Sequence, residues 1–298
     1  MVLVRFRQGL RRVLAALALV ALAASPSRGD SPSSGPQATP SKVPPMTSMT
    51  GKVRVAYLHH STGGNVWKGG VPEFFKSWNA EHRTDYRITE LTYPATTGGR
   101  SKLLRSLGPR YPWANYPYDY WNLWVAHSGE SRDRGELNLD DLVKDYDVIV
   151  FKHCYPVSGV LADGDAASVS SSAKTLSNYR LQYEAIRARL RQFPAKRFIV
   201  WTSAALTEQN TTPDQAERSR QFVEWVKRSW DEPGDNVFVW DFHALETGGG
   251  PFIKPDYAMS GTDSHPNATL SKLAAPLIGR RIVDVIEGRG DSVSLTGR

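Results

Sequence analysis

The chain has 298 residues, 40% of them hydrophobic, and a formal charge of +7. Much of that excess is local: residues 1–23 hold four arginines and no acid, which leaves +3 for the rest and removes the case for a nucleic-acid partner. A single cysteine, Cys154, excludes an internal disulfide, so the fold must rely on its core.

Arg5, Arg7, Arg11 and Arg12 precede an apolar run from Val13 to Ala24 that contains Ala21-Leu22-Ala23. A charged start, an apolar middle and small residues at the end are the marks of a secretory signal. Twelve apolar residues make a helix of about 18 Å, short of the roughly 30 Å of a bilayer core. The expectation is a signal peptide over 1–23, secretion or delivery to the cell envelope, and no stable membrane span after cleavage. An uncleaved anchor is the alternative. Residues 24–50 contain six prolines, seven serines, three threonines and no aromatic residue, and read as a flexible linker. Residues 51–288 are then long enough for one α/β domain, with 289–298 as a flexible tail.

The domain opens on Val53-Arg54-Val55-Ala56-Tyr57, whose alternation predicts a strand. It breaks at His59-His60-Ser61-Thr62-Gly63-Gly64, where paired glycines suggest a tight turn with positive φ angles. A helix is predicted from Val71 to Trp78. A second strand, Tyr86–Tyr93, runs into another paired-glycine turn at Gly98-Gly99. The segment 102–136 has little periodicity but carries Tyr111, Trp113, Tyr116, Tyr118, Tyr120, Trp121 and Trp124. So many rings argue against disorder. Either they form a satellite hydrophobic cluster, or they make a substrate-facing wall on which a sugar or another flat ligand stacks. Trp113, Trp121 and His60 are the substrate-contact candidates.

Further on, a short helix is predicted over 138–145 and a buried strand over 147–151, ending in Lys152-His153-Cys154. Apolar residues spaced by three and four predict helices over 170–193 and 213–230. Strands are predicted at 197–202 and 236–240, and a last helix at 267–286. Five strands alternating with helices imply a three-layer α/β/α sandwich on a five-stranded parallel, flavodoxin-like sheet. Ligand sites of such sheets lie beyond the carboxyl ends of the strands. That rule brings the Ser61 turn, the Gly99 turn, the His153-Cys154 end and the loop holding Asp263 and His265 to one rim.

A serine hydroxyl attacks poorly unless a base takes its proton, and imidazole is best matched to neutral pH. A carboxylate beside it fixes the tautomer and stabilises the imidazolium. Ser61, His265 and Asp263 are therefore the catalytic candidates, with the N–H groups of Ser61 and Gly99 as oxyanion donors.

These residues resemble the SGNH hydrolases, also called the GDSL esterase/lipase superfamily. The likeness covers strand order and four short blocks across roughly residues 53–287. Ser61 matches the nucleophile of the first block, Gly99 the glycine of the second, and Asp263 with His265-Pro266-Asn267 the last. The resemblance implies a serine ester hydrolase working through an acyl-enzyme on Ser61, with His265 as base and then acid. It implies no metal and no organic cofactor. The aromatic segment favours a short acyl group on a carbohydrate or a similar small ester as substrate. Three departures stand out. His59-His60 replaces the usual Gly-Asp before the serine. The last block is D-x-H rather than D-x-x-H, with Asp256 as a substitute acid. Where the third block offers an asparagine, this chain has Phe151-Lys152-His153-Cys154, which leaves three alternatives for the donor: Cys154, the candidate taken here, His153, or neither.

Two other classes stay open. The fold can serve as a glycan-binding module that has lost catalysis. His59, His60, His153, Asp263 and His265 also suit a metal-dependent hydrolase, although no pair has the helical spacing of a metalloprotease motif. Cys154 is otherwise a small buried hydrophobe rather than a nucleophile.

Overall fold

The computed structural model describes residues 46–93, 111–129, 136–164 and 166–298. The expected signal peptide, the linker as far as residue 45, the Gly98-Gly99 turn and parts of the 102–136 insertion lie outside the described residues.

Strand β1 (Lys52–His59) leads into the short helix α1 (Thr62–Lys68) and then α2 (Val71–His82), with Pro72 in its first turn, where a missing N–H is harmless. β2 (Asp85–Thr92) precedes the aromatic segment, in which α3 (Pro117–Trp121) continues as a π-helical turn over Asn122–Ala126. Next come α4 (Leu139–Asp145), β3 (Val148–Phe151), α5 (Leu176–Leu190) and β4 (Arg197–Trp201). Helix α6 (Pro213–Trp225) ends in a second π-helical turn, and β5 (Val237–Trp240) completes the sheet. Then follow α7 (Phe242–Thr247), an antiparallel pair β6 (Ala258–Ser260) and β7 (Asp263–Pro266), and α8 (Ala268–Ile286). Asn138, Thr175, Thr212 and Asn267 start four of these helices by accepting backbone N–H groups of the first turn.

The five strands are all parallel in the order β2-β1-β3-β4-β5, covered by helices on both faces: a three-layer α/β/α sandwich. Alternation along β1 explains the layers. Val53, Val55 and Tyr57 join a core with residues of α1, α2 and α8, such as Val66, Phe75 and Ile278. Ala56 and Leu58 point the other way, into a core with Tyr120, Trp124, Tyr179 and Ile186. Every residue of β3, β4 and β5 is buried, as expected of strands covered on both sides. Among the described residues no helix is long and apolar enough to cross a membrane.

Several boundaries differ from the sequence expectation. The helix expected from residue 170 begins at Leu176, because Gln182 and Asn178 side chains bind the carbonyls of Val169, Ser171 and Ala173 outside it. The positive φ expected of the glycines belongs to Ser61 (φ 48°), while Gly63 and Gly64 are helical. Residues 46–50, read as linker, are part of the domain: the Met49 N–H donates to Ile286 O at 2.8 Å, and the Arg197 guanidinium to Thr47 O. The last ten residues, read as a flexible tail, are docked, with Leu295 O accepting the Asp241 N–H at 2.9 Å and Thr296 O the Trp240 indole N–H at 3.1 Å.

Candidate active site

The chain leaves β1 toward β2 on one side of the sheet and returns to β3 on the other, so the carboxyl ends of β1 and β3 flank the point where the winding reverses. His60 and Ser61 follow β1 there, and Lys152, His153 and Cys154 follow β3.

Ser61 holds φ 48° and ψ −103° at the N-cap of α1, a backbone conformation that a non-glycine residue adopts only when its surroundings impose it. Gly63 allows this. A Cβ at that position would lie 2.4 Å from His59 Cβ, so only glycine lets α1 start this close to the end of β1.

Ser61 Oγ is hydrogen-bonded to His265 Nε2, across 204 residues of sequence. On the other side of the ring, Nδ1 lies 2.6 Å from Asp263 Oδ1, which also accepts the His265 backbone N–H at 3.0 Å. Those two bonds, the backbone one first, hold the Asp263 carboxyl below its usual range. With the carboxylate accepting a hydrogen bond from Nδ1–H, Nε2 is left as an acceptor for the serine hydroxyl. The D-x-H spacing works because Asp263 and His265 lie in strand β7, where residues two apart project from one face. Asp263 rather than Asp256 makes this contact; Asp256 offers its carbonyl to Asn267 Nδ2 at 2.7 Å.

The strand is fixed on several sides. Tyr155 donates its hydroxyl to Ser264 O and sets its ring edge-on to that of His265, 5.0 Å between centroids at 86°. Ser264 Oγ accepts the Thr207 N–H at 2.9 Å, and Asn65 Nδ2 donates to Pro266 O at 3.1 Å.

Beside the serine turn lies a cavity of about 640 Å³ whose walls include His60, Tyr111, Trp113, Asn115, Cys154 and Pro156. Trp113 stacks on Tyr93 with centroids 4.4 Å apart. Trp121 is not part of this lining and packs against Tyr118. Asp119, buried in the same segment, accepts the N–H groups of Ala114, Asn115 and Tyr116 and the Tyr111 hydroxyl.

The residues after β3 divide sharply. His153 turns into the core against Tyr120 and Tyr183, with neither ring nitrogen partnered, and burial pushes its pKa to about 3. Cys154 faces the cavity, its Sγ 3.4 Å from His60 Nδ1. Burial raises the thiol's pKa, but the His60 hydrogen bond and the Lys152 charge outweigh it and bring it to about 7. The Cys154 N–H, a candidate oxyanion donor, already donates to Asn115 O at 2.8 Å, which leaves only the thiol to offer. Gly99 lies outside the described residues.

The five groups considered for a metal have separate partners. His59 is buried and bonded to Glu90 at 2.9 Å, His60 to Cys154, and His265 to Ser61 and Asp263, while His153 is in the core. Among the described residues no group of three or more such side chains could hold an ion.

Sequence reasoning passed over Tyr155, Asp119 and above all Lys152. This lysine is 2% exposed and donates to His60 O at 3.1 Å. The available signal was its position, a charge directly after the wholly apolar strand 148–151.

No family model matches the sequence, and no curated protein matches it. Three solved structures share part of its chain path. One is an acetyl xylan esterase, 14% identical, with a TM-score of 0.42 over 74% of this chain and 95% of the other. Another is a gut microbial diltiazem-metabolizing enzyme, 12% identical, with a TM-score of 0.46 over 82% of this chain and 48% of the other. The third comes from work on a carbohydrate esterase whose active site displays divergent catalytic and non-catalytic binding functions; it is 16% identical, with a TM-score of 0.30 over 80% and 67% of the two chains.

Proposed function

We propose that this chain is an exported serine ester hydrolase of SGNH type that removes short acyl groups from a carbohydrate or similar small ester. The observation that carries the reading is the continuous relay from the Ser61 hydroxyl through the His265 ring to the Asp263 carboxylate.

In the first half-reaction Ser61 Oγ attacks the ester carbonyl carbon as its proton passes to His265 Nε2. Asp263 stabilises the imidazolium, and the Ser61 N–H at the start of α1 faces the developing oxyanion, with the Gly99 N–H as second donor. Collapse of the tetrahedral intermediate breaks the ester C–O bond, and His265 returns the proton to the departing alcohol. Water, deprotonated by the same imidazole, then attacks the acyl-enzyme and releases the acid and free Ser61. His60 and Trp113 on the cavity wall give the acceptor a polar contact and a flat apolar face.

The test is hydrolysis of p-nitrophenyl acetate by the mature protein together with labelling by a fluorophosphonate. Turnover abolished by Ser61→Ala, with Ser61 as the labelled residue, supports the reading. Glycan binding with no turnover, unchanged in Ser61→Ala, would replace it with a binding module.

A further inference from the structure

Lys152 is a buried lysine of unusual placement. Among the described residues its Nζ has one hydrogen-bond acceptor, the carbonyl oxygen of His60, the residue just before the nucleophile. The Gly63 N–H donates to the same oxygen at 3.1 Å. Burial pushes the lysine's pKa down, while Cys154 and Glu246 act to raise it. Burying an ammonium group is costly unless it is paired, and the acceptor Lys152 has is a neutral carbonyl.

The His60 carbonyl and the Ser61 N–H belong to one planar trans peptide, so they point in opposite directions. An acceptor oxygen held from the interior therefore aims the Ser61 N–H away from Lys152. Ser61 is also the residue with φ 48°, where a peptide left unheld would relax by rotation. A donor on the oxygen of an amide further polarises its N–H in a low-dielectric site.

We propose that Lys152 is a positioning residue for the oxyanion hole: bonded to the His60 carbonyl, it fixes and polarises the His60–Ser61 peptide so that the Ser61 N–H stays aimed at the developing oxyanion. The inference rests on Ser61 being the nucleophile of an ester hydrolase.

The test is Lys152→Met, with active sites counted by exhaustive fluorophosphonate titration and turnover of p-nitrophenyl acetate expressed per titrated site. The expected result is a kcat per site lower by about 10–100-fold, less than the 10²–10³ typical of deleting a donor outright, with KM within about twofold of wild type. Binding of a trifluoromethyl ketone, which forms the tetrahedral adduct, should weaken in parallel. A purely structural lysine would lower the number of titratable sites and leave kcat per site unchanged; that result overturns the inference. If Lys152→Met yields no folded protein, a structure of the wild-type phosphonate adduct decides. The Ser61 N–H on the phosphonyl oxygen, with Lys152 still on His60 O, supports the proposal, and a flipped 60–61 peptide overturns it. Wild type lacking ester turnover, or Ser61→Ala retaining it, would instead remove the hydrolase reading itself.

Discussion

Alanine at position 63 probes the closest contact in the site. The added methyl would sit 2.4 Å from His59 Cβ, 2.9 Å from His59 Cγ and 3.0 Å from Lys152 Cδ. His59 cannot swing aside, because its ring is buried and tied to Glu90. The start of α1 must therefore move off β1 by about 1 Å to restore ordinary carbon–carbon separation. Overpacking of this kind costs about 1–3 kcal/mol, offset by about 1 kcal/mol from exchanging glycine for alanine in a helix. With a rigid Cβ as the obstacle the net is about 2 kcal/mol, which lowers Tm by about 4–8 °C in a domain of this size. Ser61 moves with the helix, and a displacement near 1 Å costs about 10²-fold in turnover. The control is Gly64→Ala, whose methyl would meet only the end of the His59 ring at 3.2 Å and needs a shift of a few tenths of an ångström. Thermal melts and p-nitrophenyl acetate kinetics on both variants provide the measurement. A Gly63→Ala protein that melts and turns over like wild type, or like Gly64→Ala, refutes the reasoning.

Asp263→Asn should lower kcat by about 10²–10⁴ with little change in KM, since an amide cannot hold the proton on Nδ1 as a carboxylate does; steady-state kinetics check it. His153 is neutral in the fold, with a pKa of about 3, but titrates near about 6.5 in the unfolded chain. The unfolded chain therefore binds the extra proton between those values, and stability is lost as pH falls from about 6.5 toward 3. His243, pushed by burial to about 4, adds in the same direction, so His153→Phe should flatten the acid side of the Tm–pH curve without removing it. Thiolate is the reactive form of cysteine, so iodoacetamide labelling of Cys154 should rise with pH around a midpoint of about 7 and slow in His60→Ala, as read by mass spectrometry of the modified peptide.

Much of this architecture is written in local patterns. Strands β3 and β5 are unbroken apolar runs and β4 is one after Arg197, and the helices of the second half repeat at three and four residues, so their parallel stacking follows from the alternation of strands and helices. The rim was legible for the same reason, and the sheet topology brings Ser61, Asp263 and His265 together. What was hidden depends on contacts between distant segments. The tight D-x-H spacing looks like a defect in a loop, and becomes sufficient only because β6 turns that stretch into a strand. The glycines at 63 and 64 suggest turn flexibility, yet Gly63 is needed for close approach and the strained φ falls on Ser61. Lys152 looks like a solvated strand end and is instead enclosed beneath the serine turn. None of these could be read without knowing what lies across the sheet.

The docked C-terminus bears on how the protein can be handled. Strand β5 is one of the two edge strands of the sheet, and such a margin is an invitation to pair with another chain. Arg281 grips Gly290 O, and the last residues occupy the polar groups of Trp240 and Asp241 at the end of that strand. Trimming the chain at residue 288 would bare those groups, so a shortened version should form soluble aggregates. Residues 289–298 should therefore be kept in any shortened version of the chain.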